Sequence, residues 1–177
     1  MKIVFFGTPE FSSTILEKLV KNNLKPVLVI TAPDMPVGRR RELTPPAVKL
    51  LAEKYQIPVL QPQDFKDPVF KQALENVKPD LVVLAAFGPP FLPSWLLSFP
   101  KYGCVNLRPS LLPKYRGASP IAFAILNNEK ETGVSIMRMS EKIDQGDILG
   151  NINKLSQALT FLLSKIAGFQ TILVRKI

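Results

Sequence analysis

The stretch that decides the fold lies at the start of the chain and reads KIVFFGTPEFSSTILEKLVKNNLKPVLVIT, from Lys2 to Thr31. Its opening, Lys2 to Gly7, is a short apolar run that ends in glycine, which is typical of a buried strand. Thr8 and Pro9 suit the N-cap and the first position of a helix, and apolar residues then recur at helical spacing. Pro26 to Thr31 has the composition of a second strand. This order predicts a right-handed βαβ unit.

The same alternation of apolar runs and helical segments continues to about residue 139. The run DLVVLAA, from Asp80 to Ala86, is uninterrupted, as expected at the centre of a parallel sheet that is covered on both faces. We predict a single α/β domain with a doubly wound, Rossmann-like, mostly parallel sheet. In such sheets ligands bind beyond the carboxyl ends of the strands. The loops expected there follow Ile30, Ala86, Leu107 and Met139.

Two connecting segments are predicted to contain no regular structure. Ala32 to Pro46 holds four prolines, a glycine and three adjacent arginines. The link from Leu149 to Leu155 is short and lacks a strand pattern. Beyond it, Leu155 to Ile166 has apolar residues at helical spacing, and we expect this segment to pack on the sheet as a helix.

Composition excludes several classes of protein. The chain has 177 residues, of which 46% are hydrophobic and 21% charged, so it can bury a core. No apolar run reaches the roughly 18 residues of a membrane span, and the start does not fit a signal peptide. A cytoplasmic protein is therefore expected. With one cysteine and no histidine, neither an intrachain disulfide nor a metal site is expected.

The formal net charge is +9, with a pI of about 9.8. Such a charge fits solubility, and it equally fits a polyanionic partner such as RNA or a phosphorylated substrate. The tightest basic cluster is Arg39, Arg40 and Arg41, which lies among glycine and proline and therefore on a loop. The cluster, rather than the total charge, is the feature that points to nucleic acid.

Four residues near predicted strand ends could carry chemistry, yet each has an ordinary structural interpretation. Asn106 and Asp144 lie in contexts that favour turns. Arg108 would ordinarily be a surface cation, and Phe87 a core residue. A Gly-x-Gly-x-x-Gly motif is absent after the first strand, which argues against an NAD enzyme.

Seven segments, taken together, resemble the methionyl-tRNA formyltransferase family from Met1 to about Leu149. They are GTPEF, APDMPVGRRRELTPPAVKLLAE, IPVLQP, KPDLVVLAAFG, GCVNLRPSLLPKYRGASPI, ETGVSIMRM and IDQGDIL. The longest block resembles formyltetrahydrofolate-dependent transferases as a class, whose other members formylate glycinamide ribonucleotide or amino sugars or hydrolyse formyltetrahydrofolate. GTPEF stands where the glycinamide ribonucleotide enzymes have a glycine-rich phosphate loop, which favours the methionyl-tRNA type.

The resemblance implies transfer of a formyl group from 10-formyltetrahydrofolate to the amine of initiator methionyl-tRNA. It implies catalytic positions at Asn106, Arg108 and Asp144. It implies a folate site at Phe87, Gly88, Ser110, Leu111, Leu112 and Pro113. It further implies that the loop with Arg39, Arg40 and Arg41 meets the acceptor stem of the tRNA. Folate and this tRNA are the expected partners, no membrane is expected, and a monomer is expected.

Two departures from the family pattern qualify this expectation. The family's histidine falls at Arg108, and a guanidinium has only donors and stays protonated, whereas imidazole exchanges a proton near neutral pH. We therefore predict impaired transfer with folate binding retained. The family's carboxy-terminal tRNA-binding barrel is also missing, so residues 1–177 are expected to be the catalytic domain alone. A non-catalytic folate- or RNA-binding remnant and an amino-sugar formyltransferase domain remain as alternatives.

Overall fold

The computed structural model describes residues 1–39, 41–88 and 92–153. The chain divides into two compact units, Lys2–Cys104 and Val105–Ile177, the latter together with Met1. Arg40 and the predicted tail helix from Leu155 to Ile166 lie outside the described residues. Within the described ranges, no helix has the length and apolar character that crossing a membrane requires.

The first unit alternates strands and helices along the chain. In order, these are β1 (Ile3–Gly7), α1 (Glu10–Lys21), β2 (Leu28–Ile30), β3 (Met35–Val37), β4 (Glu42–Thr44), α2 (Ala47–Lys54), β5 (Val59–Leu60), α3 (Pro68–Val77), β6 (Leu81–Ala85) and α4 (Ser94–Ser98). Parallel ladders join β1 to β2, β1 to β6 and β2 to β5, which gives the strand order β5-β2-β1-β6. Every residue of β1 and β6 is buried, which explains why both are continuous apolar runs. The predicted βαβ opening and parallel sheet are confirmed.

The junction between β1 and α1 is close-packed. The predicted cap is wrong in one detail, because Pro9 rather than Thr8 is the N-cap and no side chain caps the helix. The hydroxyl of Ser12, in the first turn of α1, donates to the carbonyl of Ala85 at 2.6 Å and so ties the helix to β6. A Cβ on Gly7 would lie 2.6 Å from Cβ of Ser12. The approach of the helix to the strand end therefore requires glycine.

An aromatic cluster fills the core of the first unit. The ring of Phe6 lies 6.3 Å from Phe65, 6.4 Å from Phe70 and 5.4 Å from Phe87, all at steep interplanar angles. Phe65 and Phe70 approach to 5.0 Å, and Phe70 extends the cluster to Trp95 at 6.2 Å. Edge-to-face pairs of this kind add stability beyond the area they bury.

The segment Ala32 to Pro46 does contain regular structure, and the expectation that it has none is wrong. Strands β3 and β4 pair antiparallel, with Met35 opposite Thr44 and Val37 opposite Glu42. Gly38, at a φ of +73°, opens the turn between them. Both strands are exposed throughout, so neither shows the buried apolar pattern from which strands are predicted.

The second unit contains β7 (Cys104–Arg108), α5 (Pro120–Leu126), β8 (Val134–Arg138) and β9 (Ile148–Ile152). The ladders β7–β8 and β8–β9 are antiparallel. Strand β9 overlaps the link that was expected to lack a strand, and that expectation is wrong. Because Val105 lies opposite Arg138, β8 ends beside the start of β7. The loop after Met139 is therefore not at the same end of this sheet as the loop after Leu107, contrary to prediction.

The aromatic core provides a direct test of these packing relationships. Phe70→Ala removes a fully buried ring, and we expect it to lower the free energy of unfolding by about 3–5 kcal/mol. Its neighbour on α3, Val69, is 62% exposed, so Val69→Ala should change stability by no more than about 0.5 kcal/mol. Urea denaturation of both variants measures the difference, and equal losses would contradict the placement of Phe70 in the core.

Candidate active site

The strand register of the second unit aligns polar side chains on one sheet face. Arg108 lies opposite Ser135 across β7 and β8, and Ser135 lies opposite Asn151 across β8 and β9. Asn106 precedes Arg108 by two residues, so it shares the same face, because side chains of a strand alternate between faces. The side-chain amide of Asn106 makes no hydrogen bond to any other residue that the structure describes. This face carries two of the three predicted catalytic residues.

The third predicted catalytic residue, Asp144, forms a buried ion pair with Arg108. Arg108 Nη1 lies 2.9 Å from Asp144 Oδ2, and the two side chains are only 9% and 7% exposed. Arg108 Nη2 donates to the carbonyl of Gly117 at 2.5 Å and to the carbonyl of Tyr115. The backbone N–H of Gly117 donates to Asp144 Oδ2 at 2.8 Å. The pair therefore fixes the loop from Tyr115 to Gly117.

These contacts limit what Arg108 can do. Burial lowers the pKa of Arg108, and the negative charge of Asp144 opposes that shift by raising it. Because a guanidinium does not lose its proton in proteins, the side chain stays a cation with donors only. Within the described part of the chain, Arg108 Nε is buried and finds no hydrogen-bond partner. Nε is therefore the guanidinium nitrogen whose N–H the described residues leave unpaired.

The turn that carries Asp144 has little room. Asp144 has a φ of +52°, in the left-handed region that side chains other than glycine seldom adopt. A Cβ on Gly146 would lie 1.8 Å from the carbonyl oxygen of Arg138, at the end of β8. The backbone N–H of Arg138 in turn donates to the carbonyl of Asp147 at 2.9 Å. The tight turn brings Asp144 to Arg108 although the strand direction differs from the one predicted.

The predicted folate loop, Ser110 to Pro113, is anchored by its own side chains. Ser110 is fully buried and Leu112 is 3% exposed, whereas Pro113 is exposed. A Cβ on Gly133 would lie 2.7 Å from Cδ2 of Leu111, so that leucine packs against the start of β8. The leucines therefore hold the loop in place, and its backbone is left as the part that could contact a ligand.

The other two predicted folate residues lie in the first unit, where Phe87 belongs to the core. Its ring stacks on Phe65 with centroids 5.9 Å apart and planes 24° apart, and the residue is 8% exposed. Its carbonyl accepts a hydrogen bond from the hydroxyl of Thr8 at 3.2 Å. Gly88 is exposed, with a φ of +84°. A ligand ring cannot lie against the side of Phe87 that Phe65 covers, so contact with folate at these two residues stays a prediction.

Arg39 and Arg41 are exposed at the turn of the β3–β4 hairpin, and Arg40 lies outside the described residues. The base of the hairpin is fixed by Asp34, whose carboxylate accepts from Lys49 Nζ at 2.7 Å and from Gln61 Nε2 at 2.7 Å. The hydrogen bond from Gln61, followed by the one from Lys49, holds the pKa of Asp34 below its usual value. Sequence reasoning missed this anchor, because its members are far apart in the chain.

Ser135 and Asn151 were also missed, although they lie on the same face as Arg108. Ser135 was visible in the sequence as a small polar residue inside an apolar strand, which is a signal for a buried hydrogen bond. Asn151 gave no such signal, since β9 was not predicted. Across the described residues, no group of three or more His, Cys, Asp or Glu side chains could hold a metal ion.

Comparison with known proteins identifies the family of the chain. The formyl transferase family matches residues 1–153. The chain belongs to the formyl transferase family. It is 51% identical over 179 residues to a methionyl-tRNA formyltransferase of Halalkalibacterium halodurans, covering 93% of this chain and 56% of that protein. It is 52% identical over 149 residues to the enzyme of that name from Syntrophus aciditrophicus, covering 84% and 47%. The family resemblance is confirmed.

The fold is shared with a solved formyl transferase. A phosphoribosylglycinamide formyltransferase from Bacillus halodurans matches with a TM-score of 0.67 and 25% identity, covering 95% of this chain and 88% of that one. The predicted fold class, one α/β domain of the formyltransferase type with a mostly parallel sheet, is confirmed. The formyl transferase chain described here spans about half the length of the curated relatives it matches.

The buried ion pair predicts a stability difference between two charge removals. Arg108→Met leaves Asp144 buried without its cation, and we expect a loss of about 3–5 kcal/mol in the free energy of unfolding. Lys71→Met removes one partner of the exposed pair with Glu75, at 3.9 Å, and should cost no more than about 0.5 kcal/mol. Chemical denaturation distinguishes the two, and a small loss for Arg108→Met would show that the pair contributes little.

Proposed function

We propose that this chain is a formyl transferase catalytic domain that takes its formyl group from 10-formyltetrahydrofolate and acts on initiator methionyl-tRNA. The observation that carries the proposal is the ion pair between Arg108 and Asp144 in a member of this family. Arg108 lies on the same sheet face as Asn106. The methionyl-tRNA formyltransferases to which it is similar support the choice of acceptor. The cytoplasmic location and the monomeric state stay predictions.

10-Formyltetrahydrofolate would supply an activated formyl group for attack by the amine of the acceptor. Negative charge develops on the formyl oxygen during this attack, and hydrogen-bond donors placed there lower the barrier. The amide of Asn106 and the free Nε–H of Arg108 are donors of the required kind. The backbone of Ser110 to Pro113, with Phe87 and Gly88, is the proposed folate contact.

The attacking amine must also lose a proton, and neither Arg108 nor Asp144 is well suited to accept it. Arg108 has no acceptor for it. Asp144 has a carboxylate, yet its Oδ2 already accepts from Arg108 and from the N–H of Gly117. That oxygen is therefore already engaged by two donors and is poorly placed to take a further proton. We therefore propose that the domain binds its ligands and that its transfer rate is low.

A second candidate follows from the same contacts. If Arg108 serves only to hold Asp144 and the loop from Tyr115 to Gly117, the chain is a folate- or RNA-binding protein without turnover. A non-transferable analogue of 10-formyltetrahydrofolate tests folate binding, and single-turnover transfer to charged initiator tRNA tests chemistry. Binding without transfer supports the second candidate. Absence of folate binding rejects the first candidate and the folate-binding form of the second.

The Arg108 position provides the sharpest test of the proposed chemistry. Arg108→His introduces a group that can accept a proton near neutral pH, and such a base typically contributes about 10²–10⁴-fold to a rate. We expect the single-turnover rate of transfer from 10-formyltetrahydrofolate to rise by about 10²-fold. Arg108→Lys adds no base at neutral pH and is the matched control, for which no gain is expected. Equal rates in the wild-type protein and Arg108→His would reject a need for histidine.

The arginine cluster Arg39, Arg40 and Arg41 is the proposed contact with the phosphates of the tRNA acceptor stem. Phosphate contacts supply most of the affinity that does not depend on sequence. The described members are exposed at the hairpin turn. The hydrogen bonds of Asp34 at the hairpin base restrict the hairpin before it binds. Less conformational entropy is therefore lost on binding, which favours affinity.

Salt dependence tests this proposal. Replacing Arg39 and Arg41 together with alanine should weaken binding of initiator tRNA and lower the slope of log K against log salt by about 0.9 for each lost phosphate contact. Replacing Lys18 and Lys25 with alanine removes the same charge from other exposed positions, and this control should leave the slope nearly unchanged. Equal effects of the two double variants would indicate that only net charge matters.

A further inference from the structure

We infer that Ser135 and Asn151 are positioning residues that hold the loop from Ser110 to Pro113 in the shape that folate binding needs. The inference rests on the proposed function, because that loop is the proposed folate contact. Ser135 is fully buried in β8, and Asn151 lies directly opposite it in β9. Together they form what we call the loop clamp.

The clamp engages both backbone polar groups of Leu112. The hydroxyl oxygen of Ser135 accepts from the N–H of Leu112 at 2.8 Å. Nδ2 of Asn151 donates to the carbonyl of Leu112 at 2.9 Å. The backbone N–H and the carbonyl of Leu112 are therefore both held by side chains, which come from two strands.

The clamp also reaches the first residue of the loop. The single hydroxyl proton of Ser135 has two acceptors in range, the carbonyl of Ser110 at 2.7 Å and Oδ1 of Asn151 at 2.5 Å. The N–H of Ser110 donates to the carbonyl of Arg108 at 2.9 Å, at the end of β7. The clamp thus sets the loop relative to the strand that carries Asn106 and Arg108.

Strand register explains why these side chains can act together. Arg108, Ser135 and Asn151 occupy facing positions in three neighbouring strands, and facing side chains lie about 4.5–5.5 Å apart at their Cβ atoms. The guanidinium of Arg108 points to Asp144. The hydroxyl of Ser135 and the side-chain amide of Asn151 point to the loop. One row of side chains therefore orders the proposed catalytic pair and the proposed folate loop.

The loop would relax without the clamp. Ser135→Ala leaves the buried N–H of Leu112 unpaired, and an unmade buried hydrogen bond is costly enough to drive local rearrangement. Within the described residues, the hydroxyl of Ser110 is buried and has no partner, so the hydrogen bonds that hold Ser110 are made by its backbone. We assign the clamp no contact with substrate, and its expected effect is on binding rather than on chemistry.

Two measurements on the full chain test the clamp. The first is the dissociation constant of a non-transferable 10-formyltetrahydrofolate analogue, by calorimetry. The second is hydrogen exchange at the Leu112 amide, with the amides of β1 as the reference for global opening. For Ser135→Ala and for Asn151→Leu we expect about tenfold weaker binding and at least about tenfold faster exchange at Leu112, with the reference unchanged. Ser135→Thr keeps the hydroxyl and should restore protection.

The controls match the substitutions but lie outside the clamp. Ser98→Ala removes an exposed hydroxyl that donates to the carbonyl of Trp95, and Asn127→Leu removes an exposed amide that donates to the carbonyl of Phe123. Neither should change binding or exchange at Leu112. Unchanged exchange in Ser135→Ala, or faster exchange with unchanged affinity, overturns the inference. If the wild-type protein binds no analogue, the proposed function fails, and the exchange data still decide whether the clamp holds the loop.

Discussion

The buried ion pair between Arg108 and Asp144 is the constraint on which the second unit depends. Two charges that are more than nine-tenths buried are stable only if their remaining donors and acceptors are satisfied. The carbonyls of Tyr115 and Gly117 and the N–H of Gly117 meet most of that requirement, and within the described residues Nε of Arg108 is the one buried polar atom of this pair that stays unpaired. The loop after β7 therefore takes the shape that the pair demands. A histidine at position 108 would be smaller and would have fewer donors, so it could not make the same set of contacts.

The antiparallel part of the fold decides which side chains meet. In a parallel sheet, residues that follow the strands gather at one end. In the second unit, facing positions in β7, β8 and β9 gather side chains in a row across the sheet instead. Asp144 contacts Arg108 in that row from a tight turn, in which Gly146 packs against the carbonyl of Arg138. The site is thus assembled by register and by one turn, and less by the strand ends.

This difference explains how far the sequence alone could go. The buried parallel strands β1 and β6 were predictable, because complete burial produces continuous apolar runs. The hairpin of β3 and β4 was not, because both strands are exposed and β3 contains Pro36, a residue that usually argues against a strand. Strand β9 was missed for the same reason, since Ile148 and Asn151 are exposed while the residues between them are half-buried. The resemblance of the motifs identified Asn106, Arg108 and Asp144 as candidate catalytic residues. The contacts of Ser135 and Asn151, in contrast, depend on a strand register that only the fold reveals.

Order and proton transfer make opposing demands on position 108. The guanidinium satisfies a carboxylate and two carbonyls at once, which favours a rigid site with prearranged donors. In the proposed reaction the guanidinium offers no acceptor for the proton of an attacking amine, and Oδ2 of Asp144 is already engaged by two donors. An imidazole would provide a nitrogen that can accept the proton. The carbonyls of Tyr115 and Gly117 would then lose the guanidinium as their donor. Rate and stability should consequently move in opposite directions at this residue, as they commonly do where an active site gives up stability for chemistry. The loop clamp reaches the proposed folate loop from β8 and β9 rather than from β7. Folate binding is therefore expected to depend on the clamp independently of the rate and stability set at position 108.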